Sequence, residues 1–158
     1  MCRVCVANDS DVTGPDDAEN AIIVVYDIFG YFPQTIQGAD ILAYSDSENK
    51  YKVYMPDLFN GAPADISWYP PDNDEKQKKL GEFFGRNPPS GAADALPLYA
   101  NAVKQSNNKI NRFALLGVSS FCPRFVRFVA SLRSRLFCCV RCFACPLLPI
   151  DCTRFACT

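Results

Sequence analysis

The sequence predicts an α/β domain built on a mostly parallel central sheet. Three observations carry that expectation. Ala21-Ile22-Ile23-Val24-Val25-Tyr26 is an unalternated, largely β-branched apolar run, the pattern of a strand buried on both faces. A helical segment and a second strand follow, so strand, helix and strand fit within about 35 residues. A third short apolar stretch, Phe113-Ala114-Leu115-Leu116-Gly117, comes after two further helical segments.

The elements follow in order. Residues 7–20 are polar and acidic, with Gly14-Pro15 as a turn signal, and no element is expected there. The first strand, 21–26, ends at Asp27-Ile28-Phe29-Gly30. Pro33 suits the first position of a helix, where its missing N–H is no loss. Ile36, Ala39 and Ile41 to Ala43 then give an apolar side up to Tyr44. Lys50 to Met55 is a second strand, closed by Pro56-Asp57. Residues 59–71 form a Gly- and Pro-rich loop whose length suggests function or a lid. Asp74 to Phe84 reads as a helix with acids first and lysines later, which suits the helix dipole. Asn87 to Gly91 breaks the chain, and Ala92 to Gln105 is a further helix.

The chain of 158 residues is one domain by length. Its net charge of −1 hides a division at Gly117. Residues 1–117 hold 16 of the 17 acids and 10 of the 16 bases, a net of −6; residues 118–158 hold Asp151 and six arginines, a net of +5. Seven of the nine cysteines also lie between Cys122 and Cys157. The expected organisation is therefore a domain over 1–117 and an Arg-, Cys- and Phe-rich tail over 118–158 that does not belong to the domain's fold. The first nine residues lack the apolar run of a signal peptide, and the cysteines are not spread as in a secreted scaffold. A cytoplasmic, reducing location is expected. The apolar run from Leu136 to Ile150 holds 15 residues and includes Arg141, too short to span a bilayer, so no membrane partner is expected. A front part of net −6 also argues against nucleic acid.

Several motifs then fall in sequence: Val24-Val25-Tyr26-Asp27-Ile28-Phe29-Gly30, Phe32-Pro33-Gln34-Thr35, Gln37-Gly38-Ala39-Asp40, Tyr54-Met55-Pro56-Asp57, Trp68-Tyr69-Pro70-Pro71 and Lys78-Lys79-Leu80. Together they resemble the dienelactone hydrolase family, most closely its fungal branch, over residues 12–117. The resemblance implies an α/β-hydrolase-like three-layer fold and hydrolysis of a small ester or lactone through a nucleophile on a strained strand-to-helix turn. It implies no organic cofactor, because acyl transfer by a nucleophile needs none. It places Asp27 at the acidic position beside the nucleophile, and Ile28 where a backbone N–H contributes to the oxyanion hole. A cap or a solvated loop acid is the plain alternative for Asp27, and core packing of the side chain is the plain alternative for Ile28.

The resemblance stops at Gly117. The family's elbow continues x-Cys-x-Gly, whereas this chain continues Val118-Ser119-Ser120-Phe121. Ser119 occupies the nucleophile position. Phe121 replaces a glycine that permits a tight turn, and Cys122 falls three residues late. The sequence contains no histidine, so no conventional general base is available to Ser119 or to a cysteine. The fold is expected to be incomplete on its C-terminal side. Val118-Ser119 is also what a common splice-donor sequence encodes when it is read through, so translated intron or a shifted frame is the expected origin of the tail. The expected function is dienelactone-hydrolase-type by ancestry, inactive in this form. The alternatives are a non-catalytic fragment or binding protein of the same fold, or a product anchored by an acylated Cys/Arg tail. Cys138, Cys139, Cys142 and Cys145 are packed too tightly for the two separated knuckles of a usual zinc site, and no metal is assigned to them.

Overall fold

A computed structural model of the chain describes residues 10–117, and the backbone alone of residues 138–140. Five strands form one sheet: β1 (Asp11–Thr13), β2 (Asn20–Val25), β3 (Tyr51–Met55), β4 (Arg112–Gly117) and β5 (Cys138–Val140). Three helices accompany them: α1 (Pro33–Tyr44), α2 (Asp74–Arg86) and α3 (Pro89–Ser106). The strand order is β1-β3-β2-β4-β5. Only β1 runs antiparallel to its neighbour; β3, β2, β4 and β5 are mutually parallel.

The β-branched run at 21–26 behaves as a strand with two dry faces. Ala21, Ile23 and Val25 join one core with Leu96, Tyr99, Ala100 and Val103 of α3 and with Phe113 and Leu115 of β4. Val24 and Tyr26 join the opposite core with Ala39 and Ala43 of α1, Val53 and Met55 of β3, and Phe83 of α2. The period of two along the strand sends alternate side chains to opposite faces. The result is an α/β domain with helices on both sides of a mostly parallel sheet.

Local chemistry fixes the helix ends. Pro33 and Pro89 open α1 and α3, where a missing N–H costs nothing. Asn73 caps α2, its Oδ1 accepting from the Lys76 N–H at 2.9 Å, with Asp74 and Glu75 in the first turn. In α3, Leu96, Tyr99, Ala100 and Val103 are buried; their i, i+3, i+4, i+7 spacing makes one stripe along the helix.

Two elements were not expected. β1 has three residues and one apolar side chain. It forms because Asp11 to Thr13 find backbone partners on Met55 to Val53, and Thr13 Oγ1 donates to Asp40 Oδ1 of α1 at 2.7 Å. The second is β5, where three residues of the Cys-rich tail pair in parallel with Leu115 to Gly117. Helix α3 also begins at Pro89, inside the stretch read as a break.

The topology defines one special place. The chain passes from β2 through α1 to β3 on one side, then returns through α2 and α3 to β4 on the other side of β2. Right-handed connections require such a reversal to place the helices on opposite faces, as α1 and α3 are. The direction reverses between β2 and β4. In open α/β sheets the crevice beyond the carboxyl ends of strands at such a point is where ligands bind.

Candidate active site

β2 and β4 end level with one another. Val25 and Gly117 are Cα partners, the last residues of the two strands. The turn Asp27–Gly30 therefore leaves the sheet at the reversal point, beside the end of β4. The turn that carries the Asp27-Ile28-Phe29-Gly30 motif thus lies at the reversal of strand order.

Asp27 organises the turn. Its Oδ1 accepts from the Phe29 N–H at 2.9 Å, and its carbonyl accepts from Gly30 at 3.4 Å. The plain alternative for this residue, a local cap, thus describes one carboxylate oxygen. The other has no hydrogen-bond donor among the described residues. Ile28 packs its half-buried side chain against the α1-side core. Its carbonyl accepts from the Ala64 N–H at 2.8 Å. Its own N–H has no acceptor among the described residues. A backbone donor left without a partner at such an edge is available to a ligand oxygen.

The long loop expected over 59–71 is docked onto this turn. Besides the Ala64 to Ile28 bond, Gly30 has φ +76° and packs against Pro63. A Cβ at position 30 would lie 2.9 Å from Pro63 Cβ, so both the backbone conformation and the contact select glycine. The Tyr69 ring meets Phe29 with centroids 6.3 Å apart. A short 3-10 turn at Ile66–Trp68 is capped by Asp65, whose Oδ1 accepts from the Ser67 N–H at 2.8 Å.

A second turn repeats the first at the end of β3. Asp57 Oδ1 accepts from the Phe59 N–H at 3.0 Å, as Asp27 does from Phe29. Asn60 and Gly61 then take positive φ of 53° and 73°. Between the two turns lies a cleft of about 390 Å³, walled by Tyr26, Phe29, Tyr31, Phe32, Asp57 and Phe59, with Pro63 at its rim. In the sequence, Asp57 closes a strand and ends a motif, but no site role falls on it. The signal was present, because Asp57-Leu58-Phe59 copies Asp27-Ile28-Phe29 in residue type.

Both tyrosines of the cleft are anchored through oxygen. Tyr26 donates to the Pro56 carbonyl at 2.7 Å and accepts from the Leu58 N–H at 3.0 Å. Tyr31 donates to the Met55 carbonyl at 2.7 Å. Burial raises the Tyr26 phenol far above its ordinary value and pushes Tyr31 up to about 12, since a phenolate at either place would lose part of its solvation.

Ser119, placed at the nucleophile position by the resemblance, lies outside the described residues, as do Cys122, Cys142 and Cys145. Of Cys138 and Cys139 the backbone alone is described. The site that is described therefore comprises Asp27, Ile28 and the cleft. Among the described residues no helix is long and apolar enough to cross a membrane, and no group of three or more His, Cys, Asp or Glu is placed to hold a metal ion.

No family model matches the chain. Over 73 residues it is 36% identical to an uncharacterized AIM2 family protein of Schizosaccharomyces pombe. That segment is 46% of this chain and 28% of the relative, so the chain matches less than a third of the curated protein's length.

Proposed function

We propose that residues 10–117 form the oxyanion-binding side of a hydrolytic site of the dienelactone hydrolase type, on an α/β-hydrolase-like sheet. We further propose that the 158-residue chain binds a small ester or lactone without turning it over. The observation that supports this best is the Ile28 N–H, without an acceptor among the described residues, at the reversal point of the strand order and level with the end of β4. A donor fixed in place before the substrate arrives stabilises charge developing on a carbonyl oxygen without reorganisation. The donor's own peptide, Asp27–Ile28, is tied by its carbonyl to the Gly30 N–H at 3.4 Å, and the next peptide is held by Ala64 and by the Asp27 carboxylate.

Binding and turnover separate in this chain for a chemical reason. A serine hydroxyl attacks an ester at neutral pH only when a base removes its proton. These 158 residues contain no imidazole. Ser119, in the nucleophile position, has no histidine of this chain to activate it. Asp27, in the proposed place beside the nucleophile, has committed one oxygen to its own turn.

The test is hydrolysis of p-nitrophenyl acetate and of a small lactone by the full chain, with binding of the lactone measured in parallel. Saturable binding with hydrolysis at the buffer rate, unchanged in Ser119→Ala, is expected. Turnover abolished by Ser119→Ala would make the chain an enzyme. Absence of saturable binding would remove the site.

A further inference from the structure

We infer that the cleft between the Asp27 and Asp57 turns binds a small organic cation of the quaternary-ammonium class, with Phe29, Tyr31, Phe32 and Phe59 around it and the Asp57 carboxylate as counter-charge. The volume of about 390 Å³ falls in the range of small-molecule sites. Five of its ten lining residues are aromatic, one is acidic and none is basic.

The two phenols have spent their hydroxyls on the Pro56 and Met55 carbonyls. Tyr26 is 1% exposed and backs the wall, while the half-buried Tyr31 presents ring rather than oxygen to a ligand. Neutral aromatic rings attract a cation through the negative potential of their faces. The rings are also fixed against one another: Tyr26 packs on Tyr31 at 5.1 Å and on Phe59 at 5.9 Å between centroids.

Asp57 sets the sign of the ligand. Asp16, Asp17, Asp72 and Glu75 each meet a lysine. Asp57 meets no Lys or Arg among the described residues. One oxygen holds the Phe59 N–H, and the other has no described donor. An anionic ligand would face this carboxylate with no basic side chain on the cleft wall. A neutral apolar ligand would strip water from the carboxylate and return nothing, which costs free energy. A compact, weakly hydrated cation satisfies the carboxylate and the rings together.

The cleft adjoins the site of the hydrolytic reading, but that reading rests on the Ile28 N–H and this inference on Asp57 and the rings, so a choline titration and a lactone titration can succeed or fail separately. The full chain is titrated by calorimetry at constant ionic strength with choline and with its neutral isostere 3,3-dimethylbutan-1-ol. Choline is expected to bind saturably and about tenfold more tightly than the isostere. Asp57→Asn keeps an acceptor for the Phe59 N–H and removes the charge; it is expected to erase that tenfold preference while leaving the isostere unchanged. Phe32→Ala removes a ring that is 38% exposed at the rim, does not threaten the core, and is expected to weaken choline by a few-fold. Equal affinity for choline and the isostere, no saturable binding of choline, or an unaltered preference in a folded Asp57→Asn protein would overturn the inference. If Asp57→Asn does not fold, the comparison of the two ligands on the unmodified chain and the Phe32→Ala result decide it.

Discussion

Val25 and Gly117 are register partners at the carboxyl ends of adjoining parallel strands. That pairing makes the Asp27–Gly30 turn and the end of β4 neighbours in space, although 86 or more residues separate them along the chain. It also coincides with the reversal of strand order, so the turn occupies the place where this type of sheet accepts ligands.

The Asp27 carboxylate should matter to the turn through one hydrogen bond. Asp27→Ala is expected to cost about 1 kcal/mol, and Asp27→Asn close to nothing, because asparagine also offers an Oδ1 to the Phe29 N–H. Urea denaturation measures the cost. Amide exchange gives the local readout: the Phe29 N–H should be protected in the parent and in Asp27→Asn, and should lose protection in Asp27→Ala.

Gly30→Ala meets two obstacles, a positive φ and the 2.9 Å approach to Pro63 Cβ. The expected loss is about 2 kcal/mol, seen as a lower urea midpoint. A midpoint equal to the parent's would show that the loop around Pro63 is not docked on the turn.

Helix α3 provides a contrast within three residues. Leu96 is 1% exposed and Leu98 is 64% exposed. Leu96→Ala should cost about 2–5 kcal/mol through lost burial and a residual cavity. Leu98→Ala should change stability by less than about 0.5 kcal/mol. Equal effects would contradict the assignment of the buried stripe.

The buried phenols predict an alkaline limit. Tyr26, Tyr31 and Tyr99 all have pKa values raised chiefly by burial, Tyr31 to about 12, against an ordinary value of 10.0. The unfolded chain therefore releases these protons at lower pH than the folded one. Their contribution to stability is fully present below pH 10 and is lost as pH rises from there through about 12. Phenolate absorbance followed beside a fold-sensitive signal checks this: these three should ionise late and together with unfolding. Tyr31→Phe should reduce the loss of stability across that window.

The sequence disclosed those parts of the fold whose pattern is intrinsic. β2 was legible because β-branched residues run without alternation, and α1 because Pro33 opens an apolar period. β1 was not, since three mostly polar residues become a strand only when β3 supplies their hydrogen bonds. The start of α3 was misplaced because Pro89 reads equally well as a breaker and as a first helical residue. For the site, the Asp-Ile-Phe-Gly motif pointed to Asp27 and Ile28, but the docking of the loop onto the turn, through the Ala64 N–H to the Ile28 carbonyl 36 residues away, depends on the tertiary fold. The second turn at Asp57 was visible as a repeated residue pattern and gained meaning only when β2 and β3 were seen to end side by side.

The most direct test is the Ile28 amide signal in an isotope-labelled full chain, titrated with a neutral dialkyl phosphonate whose tetrahedral phosphorus mimics the attacked acyl carbon and whose P=O oxygen stands for the oxyanion. If Ile28 is an oxyanion donor, its N–H should shift downfield saturably and gain protection from exchange, while the amide of Gly14, which follows β1 and lies against Tyr51 at the start of β3, stays in place. An Ile28 signal that does not move, or that moves no more than Gly14, would contradict the site.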